Sequence, residues 1–293
     1  MKLRVGSRDS KLAVIQAELV MEALRKAHPD LDLELVTMKT TGDKILDRTL
    51  DKVGGKGLFV KELDAALRAG RVDLTVHSCK DLPMLLPEDL PVAAFLPRED
   101  PRDALVLPAG ACGWDRTKPI GSASPRRQLQ LREMFPGAEV RPVRGNVQTR
   151  LRKLDEGEYG ALVLAAAGLK RLGLEDRIHR YFAPEELLPA AGQGILAVQC
   201  REDGEIFACL RDAAAERCAM AERAFVGALD GGCSSPVAAH ARLDGETVTI
   251  IGMYVDGGDR VWKGSASGPA RSGDALARSL AKKLKEDAQW LEK

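Results

Sequence analysis

The sequence predicts an α/β protein with two α/β lobes around a hinged cleft and a small C-terminal α+β domain. Strand-like and helix-like segments alternate from the N-terminus to Cys200, the pattern of α/β lobes with mainly parallel sheets. After that the order changes, because 236–265 reads as consecutive antiparallel strands and 274–291 as an amphipathic helix. Two breaks, 97–103 and 187–194, indicate that the chain leaves the first lobe and later returns to it. Paired crossovers of this kind make a hinged cleft that can close on a ligand.

The first lobe begins with a short strand at Leu3–Gly6, followed by a helix that is predicted to carry Leu12, Ile15, Leu19 and Ala23 on one face. His28-Pro29 ends that helix, since proline cannot continue it. Apolar and acidic residues alternate over Leu31–Leu35, which is typical of a half-buried strand. A second helix ends at Gly70, and Val72–Val76 reads as the next strand.

The later elements follow from the same criteria. Predicted strands lie near 92–96, 104–107, 139–143, 161–164 and 195–200, and predicted helices near 126–134, 147–154 and 169–172. A helical stretch, 206–229, leads to predicted strands at 236–243, 247–254 and 261–265, with a hairpin turn at 256–259. These elements give three predicted domains: a discontinuous domain 1 (1–96 and 194–213), an arginine-rich domain 2 (102–188) and domain 3 (216–293).

Composition excludes several classes of protein. The 293 residues include 44 Lys and Arg against 43 Asp and Glu, and only 4% are aromatic, which argues against a nucleic-acid partner. No apolar run approaches the ~18 residues of a membrane span, and the N-terminus lacks the apolar core of a signal peptide, so we expect a cytoplasmic protein with no membrane partner. The six cysteines lack zinc-site spacing, so we expect no metal. No large apolar surface stripe stands out, which favours a monomer.

Positive charge is concentrated in one segment of this nearly neutral chain. Between Arg116 and Arg152, nine Lys and Arg residues are opposed by Glu133 and Glu139 alone, an excess of about seven positive charges. Such clustering indicates an anion site, and a solvated basic face is the alternative for any one of these residues. Arginine predominates, and its guanidinium matches a carboxylate or phosphate with two parallel hydrogen bonds.

Five polar segments follow predicted strands, where α/β proteins place their ligand-binding groups. Ser7–Ser10 supplies hydroxyls and a carboxylate, and it also has the composition of a helix cap. Lys52–Phe59 combines lysines with glycines that free backbone N–H groups for an anion. Gly121–Arg127 and Arg144–Arg150 each open a helix, and the partial positive charge of a helix N-terminus favours an anion there.

The remaining segment of the five, His77–Pro83, holds a carboxylate, Asp81, which can accept hydrogen bonds or steady a cation. By residue type His77 is an acid–base candidate, and a structural hydrogen-bonding role is the alternative. A sixth segment, Asp230–Pro236, is a glycine-containing loop with Cys233 at its tip. Exposed thiols are reactive and are usually avoided unless used, although an incidental cysteine is the alternative.

Six motifs occur in order along essentially the whole chain: Val53–Phe59, His77–Asp81, Arg98–Asp103, Arg144–Asn146, Gly192–Gly194 and Gly231–Cys233. Taken together, they resemble the motifs of the porphobilinogen deaminase family. The resemblance implies condensation of four porphobilinogen molecules, with loss of ammonia, into the linear tetrapyrrole hydroxymethylbilane.

The resemblance also implies a dipyrromethane cofactor, attached through a thioether to Cys233. Asp81 is implied as the catalytic carboxylate, which accepts hydrogen bonds from pyrrole N–H groups and stabilises the positive charge that develops as ammonia leaves. Arg8 is implied to bind substrate and to assist proton transfer. The other residues it implies are Ser78, Lys80, Ser122, Ser124, Arg126, Arg127, Arg144 and Gln193 for the cofactor, Arg144, Arg150 and Arg171 for the substrate, and Lys52 and Lys56 in a lid.

Two other classes of function compete with this interpretation. The predicted lobes are periplasmic-binding-protein-like, an architecture shared with non-enzymatic solute receptors. Such receptors lack a reactive cysteine loop and are usually exported, which the N-terminal sequence does not favour. Nucleic-acid binding would explain the basic segment, but the low aromatic content and the near-zero net charge argue against it.

Overall fold

The computed structural model describes residues 1–44, 60–202, 204–231 and 235–290. The strands in this part of the chain are β1 (Lys2–Arg8), β2 (Asp32–Met38), β3 (Leu74–Ser78), β4 (Val92–Phe95), β5 (Asp103–Val106), β6 (Ile120–Gly121), β7 (Val140–Arg141), β8 (Ala161–Ala165), β9 (Ile178–Tyr181), β10 (Leu196–Cys200), β11 (Ala238–Asp244), β12 (Thr247–Val255) and β13 (Val261–Pro269). The α-helices are α1 (Lys11–Ala27), α2 (Thr41–Lys44), α3 (Lys61–Arg68), α4 (Pro125–Met134), α5 (Val147–Asp155), α6 (Ala166–Arg171), α7 (Ala213–Ala228) and α8 (Gly273–Trp290).

The first sheet has the strand order β2-β1-β3-β10-β4. Strands β2, β1 and β3 pair in parallel, whereas β10 pairs antiparallel with β3 and with β4. Four strands therefore share one direction and β10 alone runs against them. Helix α1 covers this sheet, and Leu24 packs with Val5, Leu74 and Val198 in a fully buried core. Ser10 caps α1 by accepting a hydrogen bond from the Ala13 amide at 3.4 Å, as the polar turn before the helix predicts.

The second sheet repeats this plan with the order β7-β6-β8-β5-β9. Strands β7, β6 and β8 pair in parallel, and β5 runs antiparallel between β8 and β9. Its buried face holds Leu162 and Leu164 together with Leu154 of α5. Asn146 caps α5 by accepting a hydrogen bond from the Thr149 amide at 2.9 Å.

The C-terminal part of the chain forms an antiparallel sheet of order β11-β12-β13, with α8 packed against it. Gly252 lets α7 approach this sheet, because a Cβ atom there would lie 2.2 Å from the Phe225 ring. The predicted hairpin turn is confirmed: the Asp256 carboxylate accepts hydrogen bonds from the Gly258 and Arg260 amides, each at 2.9 Å.

The described residues divide into two compact units. Unit 1 comprises Met1–Glu99 and Ile195–Glu216, and unit 2 comprises Asp100–Gly194 and Arg217–Lys293. The first sheet lies in unit 1, and the other two sheets lie in unit 2. The division into three domains stays a prediction. Among the described helices, none combines the length and the apolar character needed to cross a membrane.

Most predicted elements are confirmed, and the differences have simple causes. Strands β6 and β9 were not predicted, because β6 has two residues and the sequence of β9, Ile-His-Arg-Tyr, is largely polar. The expectation of mainly parallel pairing was wrong for half of the strand pairs in each five-stranded sheet. Strands β5 and β10 each begin directly after a crossover, and each enters its sheet against the direction of the other four strands.

Candidate functional site

In unit 1, three predicted residues lie together at one edge of the first sheet. Arg8 ends β1 and Ser78 ends β3, and these strands are parallel neighbours, so both residues reach the same edge. A short 3₁₀ turn, Cys79–Asp81, follows β3 directly and carries Asp81 into position. The Cys79 side chain is fully buried beneath this turn, and Lys80 and Asp81 are half-buried. The fold therefore gathers Arg8, Ser78 and Asp81 at the carboxyl ends of parallel strands, as predicted.

These residues share a small cavity. The cavity is lined by Arg8, Ala13, Gln16, Val60, Val76, His77, Ser78 and Asp81. Gln16 is buried on α1, and its amide nitrogen donates a hydrogen bond to the Ser78 hydroxyl at 3.1 Å. The sequence analysis missed Gln16, although its place on the buried face of α1 was a usable signal, since a polar side chain there needs a partner. A cavity that combines a carboxylate, a guanidinium and a hydroxyl suits a polar substrate that carries both hydrogen-bond donors and carboxylate groups.

The structure resolves the two interpretations of His77 in favour of the structural one. The ring is buried, and its Nε2 atom lies 2.8 Å from the Thr75 hydroxyl, which is itself fully buried. Burial, reinforced by the charge of Arg8, lowers the pKa of His77 to about 4. At neutral pH the ring is therefore uncharged, and the imidazolium form that a general acid would use is not populated.

We expect His77 to make the protein sensitive to acid. The unfolded chain binds a proton at His77 near pH 6.5 and the folded chain only near pH 4. Stability is therefore unaffected above pH 6.5 and is lost as the pH falls from 6.5 towards 4, by about 3 kcal/mol in total. Urea unfolding at pH 7 and pH 4.5 should show a smaller acid-induced loss in His77→Gln than in the wild type. His179→Gln, at an exposed position, serves as the control, and an equal loss in all three proteins would contradict this assignment.

In unit 2, the predicted polar turns also meet at one edge of a sheet. Strands β7, β6 and β8 are parallel neighbours, and α4, α5 and α6 begin after them. Ser124 is the N-cap residue of α4, and its side chain makes no capping hydrogen bond. Ser122 is buried in the preceding turn, where its hydroxyl accepts a hydrogen bond from the Ser124 amide at 3.4 Å. This edge therefore presents hydroxyl groups at the N-terminal end of a ten-residue helix.

The paired arginines of α4 are buried, and both bind one carboxylate. Asp103, the first residue of β5, contacts Arg126 at 2.9 Å and Arg127 at 2.7 Å. Burial alone would raise the pKa of Asp103, but the two guanidiniums, together with the Gln193 amide, hold that pKa well below its usual range. Arg126 also donates to the Leu188 carbonyl, and Arg127 to the Val163 carbonyl at 3.2 Å. Asp103 was absent from the predicted site residues.

The other predicted residues of unit 2 lie around the same turns. The Arg150 Nε atom donates to the Gly145 carbonyl at 2.8 Å, and an Arg171 nitrogen donates to the Gly194 carbonyl at 2.6 Å. Gln193 is buried, and its amide nitrogen donates to Asp103 at 2.7 Å. Arg144 is half-buried just before α5. The predicted residues Lys52, Lys56 and Cys233 lie outside the described residues.

The donor set of unit 2 fits a ligand with several carboxylates. Two buried guanidiniums contact a single protein carboxylate, so the cluster keeps one net positive charge. A buried charge of this kind is costly unless it is paired, and an anion would pair it. Neighbouring arginine and serine side chains add further donors of the type that binds carboxylates. A separate cavity of about 570 Å³ lies at residues 246–271 and includes none of the predicted site residues.

Comparison with known proteins agrees with this chemistry. The family model "Porphobilinogen deaminase, dipyromethane cofactor binding domain" matches residues 3–208, and "Porphobilinogen deaminase, C-terminal domain" matches residues 216–286. The porphobilinogen deaminase of Acetivibrio thermocellus is 54% identical over 98% of this chain and 99% of its own length. That of Ruminiclostridium cellulolyticum is 59% identical over 86% of this chain and 87% of its own length.

The solved structures that match this chain are much more distant in sequence. The BenM effector-binding domain with its effector benzoate has a TM-score of 0.43 at 17% identity, over 71% of this chain and 88% of that one. The periplasmic aliphatic sulphonate binding protein SsuA of Escherichia coli has a TM-score of 0.39 at 14% identity, over 68% of this chain and 61% of that one.

The region matched by the first family model, a dipyrromethane cofactor binding domain, contains nearly all of the two five-stranded sheets. The two family models together match most of the chain. The chain belongs to the porphobilinogen deaminase family.

Proposed function

We propose that this protein is a hydroxymethylbilane synthase, a transferase that joins four porphobilinogen molecules head to tail and releases ammonia at each addition. The cavity of unit 1 carries this proposal, because it places the Asp81 carboxylate and the Arg8 guanidinium together at the carboxyl ends of β1 and β3. Membership of the family supports the choice of substrate. The proposal includes a monomeric, cytoplasmic enzyme.

The cofactor proposed here is a dipyrromethane attached to the Cys233 sulfur through a thioether bond. When bound, it supplies the nucleophilic pyrrole carbon on which the product chain is extended. Each pyrrole carries an acetate and a propionate, so the bound group presents four carboxylates. The net positive charge of the Asp103 cluster and the hydroxyls of Ser122 and Ser124 fit such a polyanion. We assign Lys80, Ser78, Arg126, Arg127, Arg144 and Gln193 to the same group.

Asp81 acts on the incoming substrate. Its carboxylate accepts hydrogen bonds from a pyrrole N–H group and stabilises the positive charge that spreads over the ring as the amine departs. The short 3₁₀ turn after β3 holds this carboxylate at the cavity. Arg8, in the same cavity, binds a substrate carboxylate and assists proton transfer beside Asp81.

The remaining arginines bind and orient the substrate. Arg144, Arg150 and Arg171 are assigned to its acetate and propionate groups. The contacts of Arg150 with Gly145 and of Arg171 with Gly194 limit how far these side chains can swing. Guanidinium groups held in this way lose less conformational entropy when they pair with a carboxylate. Lys52 and Lys56 are proposed to form part of a lid.

The proposal is tested by incubating the purified protein with porphobilinogen. We expect one ammonia released for each porphobilinogen consumed, and a linear product of four pyrrole units identified by mass spectrometry. Heat-denatured protein serves as the control for spontaneous condensation. Consumption of porphobilinogen without ammonia release would contradict the proposed reaction. Tight binding of intact porphobilinogen without turnover would show that the chain is a binding protein instead.

A further inference from the structure

Asp103 places a buried carboxylate at the arginine-rich edge, and no step of the proposed reaction uses it directly. Asp103 is fully buried, and both of its oxygens are used. Its Oδ2 atom accepts from Nη2 of Arg126 at 2.9 Å and from Nε of Arg127 at 3.0 Å. Its Oδ1 atom accepts from Nη2 of Arg127 at 2.7 Å and from the Gln193 amide at 2.7 Å. Four donors from three side chains therefore converge on one carboxylate.

The placement of the two arginines makes this carboxylate necessary. Arg126 and Arg127 lie in the first turn of α4, where the partial positive charge of the helix already disfavours cations. Their guanidiniums are also buried close together, so they repel each other. Asp103 offsets both effects, and its bidentate contact with Arg127 fixes the plane of that guanidinium.

Gln193 connects this cluster to the turn before β10. Its amide nitrogen donates to the Asp103 carboxylate and to the Pro101 carbonyl, each at 2.7 Å. Residue 101 belongs to the first predicted crossover and Gln193 to the second. Glu222 holds the same turn by accepting a hydrogen bond from the Gly192 amide at 2.6 Å. Gln193 therefore connects the Asp103 carboxylate, which contacts both arginines, to the backbone of the two predicted crossovers.

We propose that Asp103 is a positioning residue of the anion site, which holds Arg126 and Arg127 in the orientation that binds the carboxylates of the growing pyrrole chain. Asp103 acts through these two arginines and does not touch the substrate itself. This inference rests on the proposed function, because it assumes that the anion is a pyrrole carboxylate.

The most direct test replaces Asp103 with asparagine, which has nearly the same shape. An amide accepts hydrogen bonds on one side only, so its NH₂ group would face the donors of at least one guanidinium and turn that side chain away. We expect the fraction of purified chains that carry the two-pyrrole adduct, read by intact mass, to fall at least fivefold. In the chains that remain loaded, we expect KM for porphobilinogen to rise about tenfold, with kcat changed less than threefold.

Asp103→Glu distinguishes the effect of moving the carboxylate from the effect of removing its charge. It also provides the test if Asp103→Asn does not fold. Glutamate keeps the charge and both oxygens but moves the carboxylate by one methylene, so we expect KM to rise here too. Asp73→Asn is the matched control. Asp73 binds Arg4 through both oxygens and contacts Arg201, but it precedes β3 and so lies at the opposite edge of the first sheet from Asp81. We expect Asp73→Asn to lower the melting temperature without changing adduct occupancy or KM.

The outcomes separate the two proposals. The positioning role alone would be overturned if both Asp103 variants had the same adduct occupancy and KM as Asp73→Asn while the wild-type protein had normal activity. Wild-type protein without adduct and without turnover would overturn the proposed function and this inference together. Raised KM and lowered occupancy in the Asp103 variants alone would establish the positioning role.

Discussion

Replacing Asp81 with alanine should lower turnover of porphobilinogen about 100- to 1,000-fold while leaving the fold intact. The carboxylate lies in the unit 1 cavity beside Arg8, where no other acidic side chain lines the cavity among the described residues. Its removal takes away the group to which we assign the stabilisation of positive charge on the pyrrole ring as the amine leaves. Because Asp81 is half-buried and follows β3 in a short turn, the truncation should cost little stability.

Steady-state kinetics and a thermal melt check this expectation. Asp9→Ala is the matched control, since Asp9 is an exposed carboxylate that follows β1 at the same edge of the sheet and is absent from the cavity lining. Asp9→Ala should keep near-normal turnover. An Asp81→Ala protein with turnover close to that of the control would remove Asp81 from the mechanism.

Replacing Cys233 with serine should abolish turnover and leave the protein at the mass of its bare chain. Serine keeps the size and polarity of the side chain, but its hydroxyl is far less nucleophilic than a thiolate and does not form the thioether. Cys112→Ser is the matched control, because Cys112 is a free, exposed cysteine. It should retain both activity and adduct. Activity in Cys233→Ser, or loss of activity in Cys112→Ser, would contradict the proposed attachment.

The sequence predicted the fold well wherever periodicity was strong. Helix α1 and strands β11 and β12 lie close to the predicted bounds. The predicted face of α1 was wrong: Leu19 is exposed, and the buried apolar residues are Ala13, Ala17, Val20, Met21 and Leu24. Strand direction was predicted less well. Periodicity within one strand says nothing about its neighbours, and the antiparallel insertion of β5 and β10 depends on pairings between distant segments.

This error about direction explains what was missed at the candidate site. Candidate residues were sought after strands, which is correct for parallel strands such as β1 and β3. A strand that runs antiparallel to its neighbours has its first residue, not its last, at the edge formed by the carboxyl ends of the parallel strands. Asp103 begins β5 and pairs with Ala165 at the end of β8, so its side chain belongs to the same edge as the arginines. The sequence analysis therefore identified the guanidiniums but not the carboxylate between them.

The structure shows that Arg126 and Arg127 are buried, which composition did not indicate. The charge count treated all nine basic residues of the segment alike. The structure separates these two, which are buried against Asp103, from exposed residues such as Arg152, which pairs with Glu156 at 2.7 Å. Exposed pairs of this kind contribute little, whereas buried and shared guanidiniums fix geometry. Burial, which sequence alone does not give, distinguishes Arg126 and Arg127 from the exposed arginines of the segment.

Peptide mapping of freshly purified wild-type protein tests the central claim most directly. A tryptic digest analysed by tandem mass spectrometry should show the peptide that contains residue 233 heavier by two pyrrole units, with the added mass on the sulfur. All other cysteine peptides should have their unmodified masses. An active protein in which the residue 233 peptide is unmodified, or in which the adduct maps to another cysteine, would contradict the claim that this thiol anchors the growing chain.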